Sequence, residues 1–110
     1  MEITRKTRGD VLIYKLDGSF DTNTYPDVEE AINLDLYGGK FKMIIDLSKT
    51  SFVSSAGLRI ILSTNRKISQ GGGIFGLCCA NDVVKNILEV SGFNTFLKIR
   101  DSLEEILNDF

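Results

Sequence analysis

The sequence predicts a layered α/β fold, with a mostly parallel central sheet and an antiparallel hairpin at its start. Three observations carry this prediction. Short apolar runs alternate with stretches of helical period from residue 11 onward. The clusters Gly38-Gly39 and Gly71-Gly72-Gly73 each stand between a helical stretch and the next apolar run. The first two runs are joined only by Gly9-Asp10, which has the composition of a hairpin turn.

Residues 2–8 alternate, with Ile3, Arg5 and Thr7 on one side and Glu2, Thr4 and Lys6 on the other. Val11–Leu16 is a strongly apolar second strand, which Asp17-Gly18 should end. A helix follows, with Thr24 as N-cap and Pro26 in the first turn, where its missing N–H costs nothing. Tyr25, Val28, Ala31, Ile32 and Leu36 give it a buried face, and Gly38-Gly39 stops it. Residues 41–47 form an apolar strand suited to a doubly covered position. The polar stretch Ser48–Ser51 then leads through Phe52-Val53 into a second helix, whose apolar face is Leu58, Ile61, Leu62 and Ile68. Ile74–Cys78 is the next strand. A third helix starts near Asn81 or Asp82, buries Val83, Val84, Ile87 and Leu88, and closes at Ser91-Gly92. A short strand is expected at 95–99, then a last helix capped by Asp101 or Ser102 with Leu103, Ile106, Leu107 and Phe110 as its stripe. The order is ββαβαβαβα.

A chain of 110 residues fits one domain, 1–110, and buries roughly 65% of its unfolded surface without staples. A net charge of −2 supplies no basic field, so no nucleic acid partner is expected. No apolar run approaches the ~20 residues that cross a bilayer, and the opening residues lack a signal peptide's apolar centre. No membrane association is therefore expected, and the expected location is the cytoplasm. The absence of histidine removes Ser-His and Cys-His nucleophile pairs and nearly all common zinc sites. The adjacent Cys78 and Cys79 read as two reduced thiols at a strand end. Neither a catalytic group nor a metal or other cofactor is expected.

In open α/β sheets, function gathers beyond the carboxyl ends of strands. Two polar loops lie there, Gly18–Thr24 and Ser48–Gly57, both leading into helix N-termini on the same side of the sheet. Ser54 or Ser55 occupies the cap or first turn of the second helix. A phosphate there would meet free N–H groups and the positive end of the helix dipole. Ala56 and Gly57 are small and leave the hydroxyl open, while Arg59, one turn in, faces an acidic partner or the phosphate. Simple capping by serine, and an Asp21 that bonds only its own loop, are the structural alternatives. Asp21 and Asp46 as a carboxylate pair for magnesium-dependent phosphoester chemistry is a further alternative.

Two motifs now stand out, Asp46-Leu-Ser … Phe52-Val-Ser-Ser-Ala-Gly-Leu58 and Gly18-Ser-Phe-Asp21-Thr-Asn-Thr24. With them in place the chain resembles the bacterial anti-sigma factor antagonists, the stand-alone STAS domains, over essentially its whole length. The resemblance implies a STAS-like fold and a serine, Ser55, phosphorylated by an anti-sigma factor that is itself a serine kinase. It implies that the unphosphorylated form binds that kinase and so frees a sigma factor. Phosphorylation abolishes binding, and a serine phosphatase restores it. Asp21 is expected beside the serine, supporting binding, and the full partner-binding set is Asp21, Thr24, Ser54, Ser55, Gly57 and Arg59. Where the family often carries aspartate before the acceptor serine, this chain has Ser54. A monomer or weak homodimer is expected. A scaffold subunit of a larger STAS assembly is the alternative function.

Overall fold

The computed structural model describes residues 1–110. In order they form β1 (Glu2–Arg8), β2 (Val11–Phe20), α1 (Tyr25–Tyr37), β3 (Lys42–Asp46), β4 (Thr50–Val53) and α2 (Ser55–Gln70). There follow β5 (Ile74–Cys78), α3 (Asp82–Val90), a 3-10 turn (Phe93–Thr95), β6 (Lys98–Arg100) and α4 (Leu103–Leu107). The sheet runs β1-β2-β3-β5-β6, with β4 paired to β2. Only the β1–β2 pairing is antiparallel; the others are parallel.

Apart from β4, which turns back to pair with β2, the strands from β2 through β3 and β5 to β6 step across the sheet in one direction. Crossovers of one hand then place every connecting helix on the same face. Accordingly Val28 and Ile32 of α1, Ile60, Ile61 and Ile68 of α2, and Val84 and Leu88 of α3 share one core. Leu12, Tyr14, Leu16, Met43, Ile45, Phe75 and Leu77 meet them from the sheet. Each fully buried aliphatic side chain there contributes about 1.5–3 kcal/mol. The alternate strand positions Val11, Ile13, Ile44 and Cys78 point to the second face, which α4 covers with Ile106. Gly76 makes that possible, because a Cβ there would lie 2.7 Å from Ile106 Cδ1.

Tyr14 reaches through the larger core to α1. Its hydroxyl contacts both the Ala31 carbonyl and Asp35, and Arg5 of β1 grips the same carboxylate with contacts of 2.8 and 2.7 Å. A fork of this kind, closed on a partly buried carboxylate, ties the hairpin to α1.

Four expectations need correction. β2 does not end at Asp17-Gly18 but continues to Phe20, because a further short strand, β4, is there to pair with it. Gly18, at φ 124°, allows a register shift between the two halves of the pairing. β4 itself was expected to be loop; its inward residue Thr50 is polar, yet its hydroxyl donates to the Leu16 carbonyl at 2.8 Å. Val83 is 56% exposed, since α3 turns the Val84/Leu88 pair inward. Finally, the last strand starts at Lys98, because Gly92, at φ 77°, begins a 3-10 turn that takes residues 93–95 and buries Phe93.

Candidate functional site

The second half of β2 and all of β4 end side by side, and each hands over to a helix. Phe20 is the hinge between them. Its carbonyl accepts the Ser54 N–H at 2.9 Å, and its side chain is fully buried. Ser54 sits at the N-cap of α2 in extended conformation, and its Oγ accepts the Gly57 N–H at 3.4 Å. Ser54 is half-buried, whereas Ser55, the first residue of the helix, is exposed. The two neighbouring hydroxyls therefore have different situations, one turned to the cap and one to solvent.

The first turns of α1, α3 and α4 carry Asp27, Asp82, and Glu104 with Glu105. The first turn of α2 has no acidic residue. Its positive dipole end thus meets no carboxylate, a setting that favours an added anion.

Asp21 and Thr24 fold tightly beside this helix start. The Thr24 hydroxyl donates to the Ser19 carbonyl at 2.7 Å and accepts the Asp21 N–H at 2.9 Å. Thr24 occupies the N-cap position of α1 as expected but makes no cap hydrogen bond, because its oxygen is committed to the loop. Asp21 Oδ1 accepts the Asn23 N–H at 2.9 Å. The Ser19 hydroxyl and that N–H hold the Asp21 carboxyl below the usual carboxylate range, so it stays ionised. Arg59 lies over the Tyr25 ring, 5.1 Å from its centroid, and so links the start of α1 to the second turn of α2. Ser55 and Arg59 are four residues apart and share one face of α2.

Gly57 requires another correction. It was expected among residues that touch a partner, but it is buried. A Cβ at Gly57 would stand 2.6 Å from the Phe20 carbonyl oxygen and 2.9 Å from Val53 Cγ1. The missing side chain lets the helix start lie against β2 and β4, which positions Ser55. Two residues of the surface escaped the sequence reading. Phe52 is 45% exposed on β4, and Tyr25 carries Arg59. The polar run around Phe52 masked a strand too short for its alternation to be seen.

Asp46 is remote from Asp21. In the β2–β3 register Asp46 is level with Lys15. Asp21 lies six residues further along the chain, about 20 Å at strand rise. One magnesium ion cannot bridge them, which removes the carboxylate-pair enzyme. Asp46 instead faces the second side of the sheet, where its Oδ1 accepts the Ser48 N–H at 2.9 Å and its Oδ2 stands 4.0 Å from Lys15 Nζ. Cys78 is its neighbour in register on β5. Burial pushes the Cys78 and Cys79 thiols up from their ordinary values, so both are neutral at neutral pH.

The family model described as the STAS domain matches residues 2–106. The chain is 27% identical over 104 residues to a putative anti-sigma factor antagonist, BtrV, of Bordetella bronchiseptica, covering 94% of this chain and 90% of that one. A crystal structure of a putative anti-sigma factor antagonist from Thermotoga maritima superposes with a TM-score of 0.94 at 23% identity, over 97% and 92% of the two chains. The Bacillus cell fate determinant SpoIIAA in its phosphorylated form gives a TM-score of 0.77 at 16% identity, over 98% of each chain. The unphosphorylated form of SpoIIAA gives 0.78 at 17%, over 98% and 96%. No helix of the chain is long and apolar enough to cross a membrane.

Proposed function

Because the chain belongs to the STAS domain family, we propose that it is an anti-sigma factor antagonist whose docking to an anti-sigma factor is switched by phosphorylation of Ser55. The observation that carries this is the exposed Ser55 hydroxyl at the first position of a helix whose first turn holds no carboxylate. The helix start tolerates a phosphate there, since the dipole and the outward N–H groups meet it. The cost falls on the partner. A protein seated over α2 would have to take roughly 1.5–2 added negative charges out of water. A loss of about 4 kcal/mol weakens affinity about a thousandfold.

The surface around Ser55 supplies what a docking site needs. Phe52 offers a large apolar side chain for the centre of the contact. Asp21, held ionised, and Arg59, a fixed cation, flank it with opposite charge. Gly57 and Phe20 hold the helix start against the ends of β2 and β4. The partner in this reading is an anti-sigma factor serine kinase, and a serine phosphatase resets the switch. The similarity to SpoIIAA is nearly equal for its two phosphorylation forms, which suits a switch that changes surface charge rather than backbone.

The test is incubation with such a kinase and ATP, followed by mass mapping of the modified residue. Phosphate on Ser55, absent from the Ser55→Ala variant, is expected. Phosphate on Ser54, or none in either protein, would overturn the assignment.

A further inference from the structure

We propose that Asp46, Cys78 and Cys79 bind one thiophilic divalent cation of the zinc class, on the face of the sheet opposite α1, α2 and α3. One potential ligand atom from each residue lies within 4.8 Å of the other two. Asp46 is 7% exposed and Cys78 is fully buried at the ends of β3 and β5, while Cys79 is half-exposed. Two consecutive strand residues would normally point to opposite faces. Here Cys79 adopts φ 67°, a conformation a side chain rarely takes, and its thiol lies beside Cys78 instead. It packs with Leu103, Leu107 and Phe110 around Cys78 and Ile106.

The donor set selects the cation. Two sulfurs exclude magnesium and calcium, which take oxygen ligands, and suit zinc and its softer relatives. Metal–sulfur bonds of about 2.3 Å draw tetrahedral ligands closer than the present spacing, a contraction of about 1 Å that side-chain rotation supplies. On binding, each thiol releases its proton to water and its sulfur bonds the metal, with no electron transferred. Asp46 contributes Oδ2, because Oδ1 already accepts the Ser48 N–H. Lys15 balances the charge: three anionic ligands, a dication and its ammonium sum to zero. A cleft of about 140 Å³, lined by Lys6, Arg8, Lys15, Asp46 and Leu103 among others, opens onto the carboxylate and leaves room beside Asp46 for a fourth, water ligand. The site departs from the expectation of no metal, which rested on the absence of histidine. It shares no residue with the Ser55 surface, so its test is independent of the proposed switch.

The reduced, metal-free protein is titrated anaerobically with Co²⁺ and read by visible and ultraviolet absorption. One cobalt per chain is expected, with tetrahedral d–d bands and sulfur-to-cobalt charge transfer of two thiolates, displaced by stoichiometric Zn²⁺. Cys79→Ser halves the charge transfer, and Asp46→Asn keeps both sulfurs. Each weakens Zn²⁺ binding at least about tenfold, the lower end of the cost of disturbing a metal site. Circular dichroism confirms that each variant is folded. Absence of a tetrahedral spectrum in the folded wild type overturns the proposal. So does an undiminished affinity in Asp46→Asn, or one cobalt shared between two chains.

Discussion

Replacing Gly57 with alanine separates packing from helix propensity, because the two act in opposite directions. Alanine in a helix is favoured over glycine by about 1 kcal/mol. Against this, the new methyl would stand 2.6 Å from the Phe20 carbonyl oxygen, 2.9 Å from Val53 Cγ1 and 3.1 Å from Phe20 Cδ2. None of these atoms yields easily. The carbonyl is held by the Ser54 N–H, and both side chains are buried in the main core. Overpacking costs about 1–3 kcal/mol, and a backbone contact belongs at the upper end of that range. The net effect is a destabilisation of about 1–2 kcal/mol, which lowers Tm by about 4–9 °C in a domain of this size. Equilibrium urea unfolding reads it as a lower midpoint at unchanged slope. A Gly57→Ala protein as stable as the wild type would show that propensity prevails, and that the close contact of α2 with β2 and β4 does not hold Ser55 in place.

Three further outcomes follow from the geometry. Ser54→Ala removes the cap of α2 and should cost about 0.5–1 kcal/mol, the low end for a bond as long as this one, while Ser55→Ala stays within about 0.5 kcal/mol; equal costs in urea unfolding would contradict the division of roles. The hydrogen bonds from Arg5, with help from Tyr14, hold the Asp35 carboxyl below its usual range. Its folded value is therefore depressed, so its contribution is complete above the unfolded value of about 4 and is lost as pH falls through the folded one; Asp35→Asn should flatten the fall in urea midpoint below about pH 4. Asp21→Asn preserves an oxygen for the Asn23 N–H, so stability should change by less than about 0.5 kcal/mol. Binding to the anti-sigma partner should nevertheless weaken at least about tenfold, and a variant that only unfolds would return Asp21 to a loop-holding role.

The layered fold was legible because each of its main elements is spelled in local residues. Gly9-Asp10 marks the hairpin, Asn81 and Ser102 accept the cap bonds of α3 and α4 at 2.8 and 3.1 Å, and Ile106 with its neighbours makes the last stripe. What stayed hidden depends on partners distant in sequence. Thr50 is buried because the carbonyl of Leu16, 34 residues away, accepts its hydroxyl's hydrogen bond. The extension of β2 to Phe20 exists only because β4 lies beside it. At the site, the start of α2 and its two serines were readable from the serine and glycine positions. The burial of Gly57 and the turning of Thr24 into its own loop were not, since both follow from how β2 approaches α2. The pairing of Asp46 with the two cysteines was equally hidden, because it needs the parallel register of β3 and β5 and the unusual φ of Cys79.

The most direct measurement is the affinity of the unmodified protein and its Ser55-phosphorylated form for the same anti-sigma factor kinase, by calorimetry in one buffer. The proposed switch predicts tight one-to-one binding for the first and a dissociation constant about a thousandfold weaker for the second, with superimposable circular dichroism. Equal affinities for the two forms would contradict it.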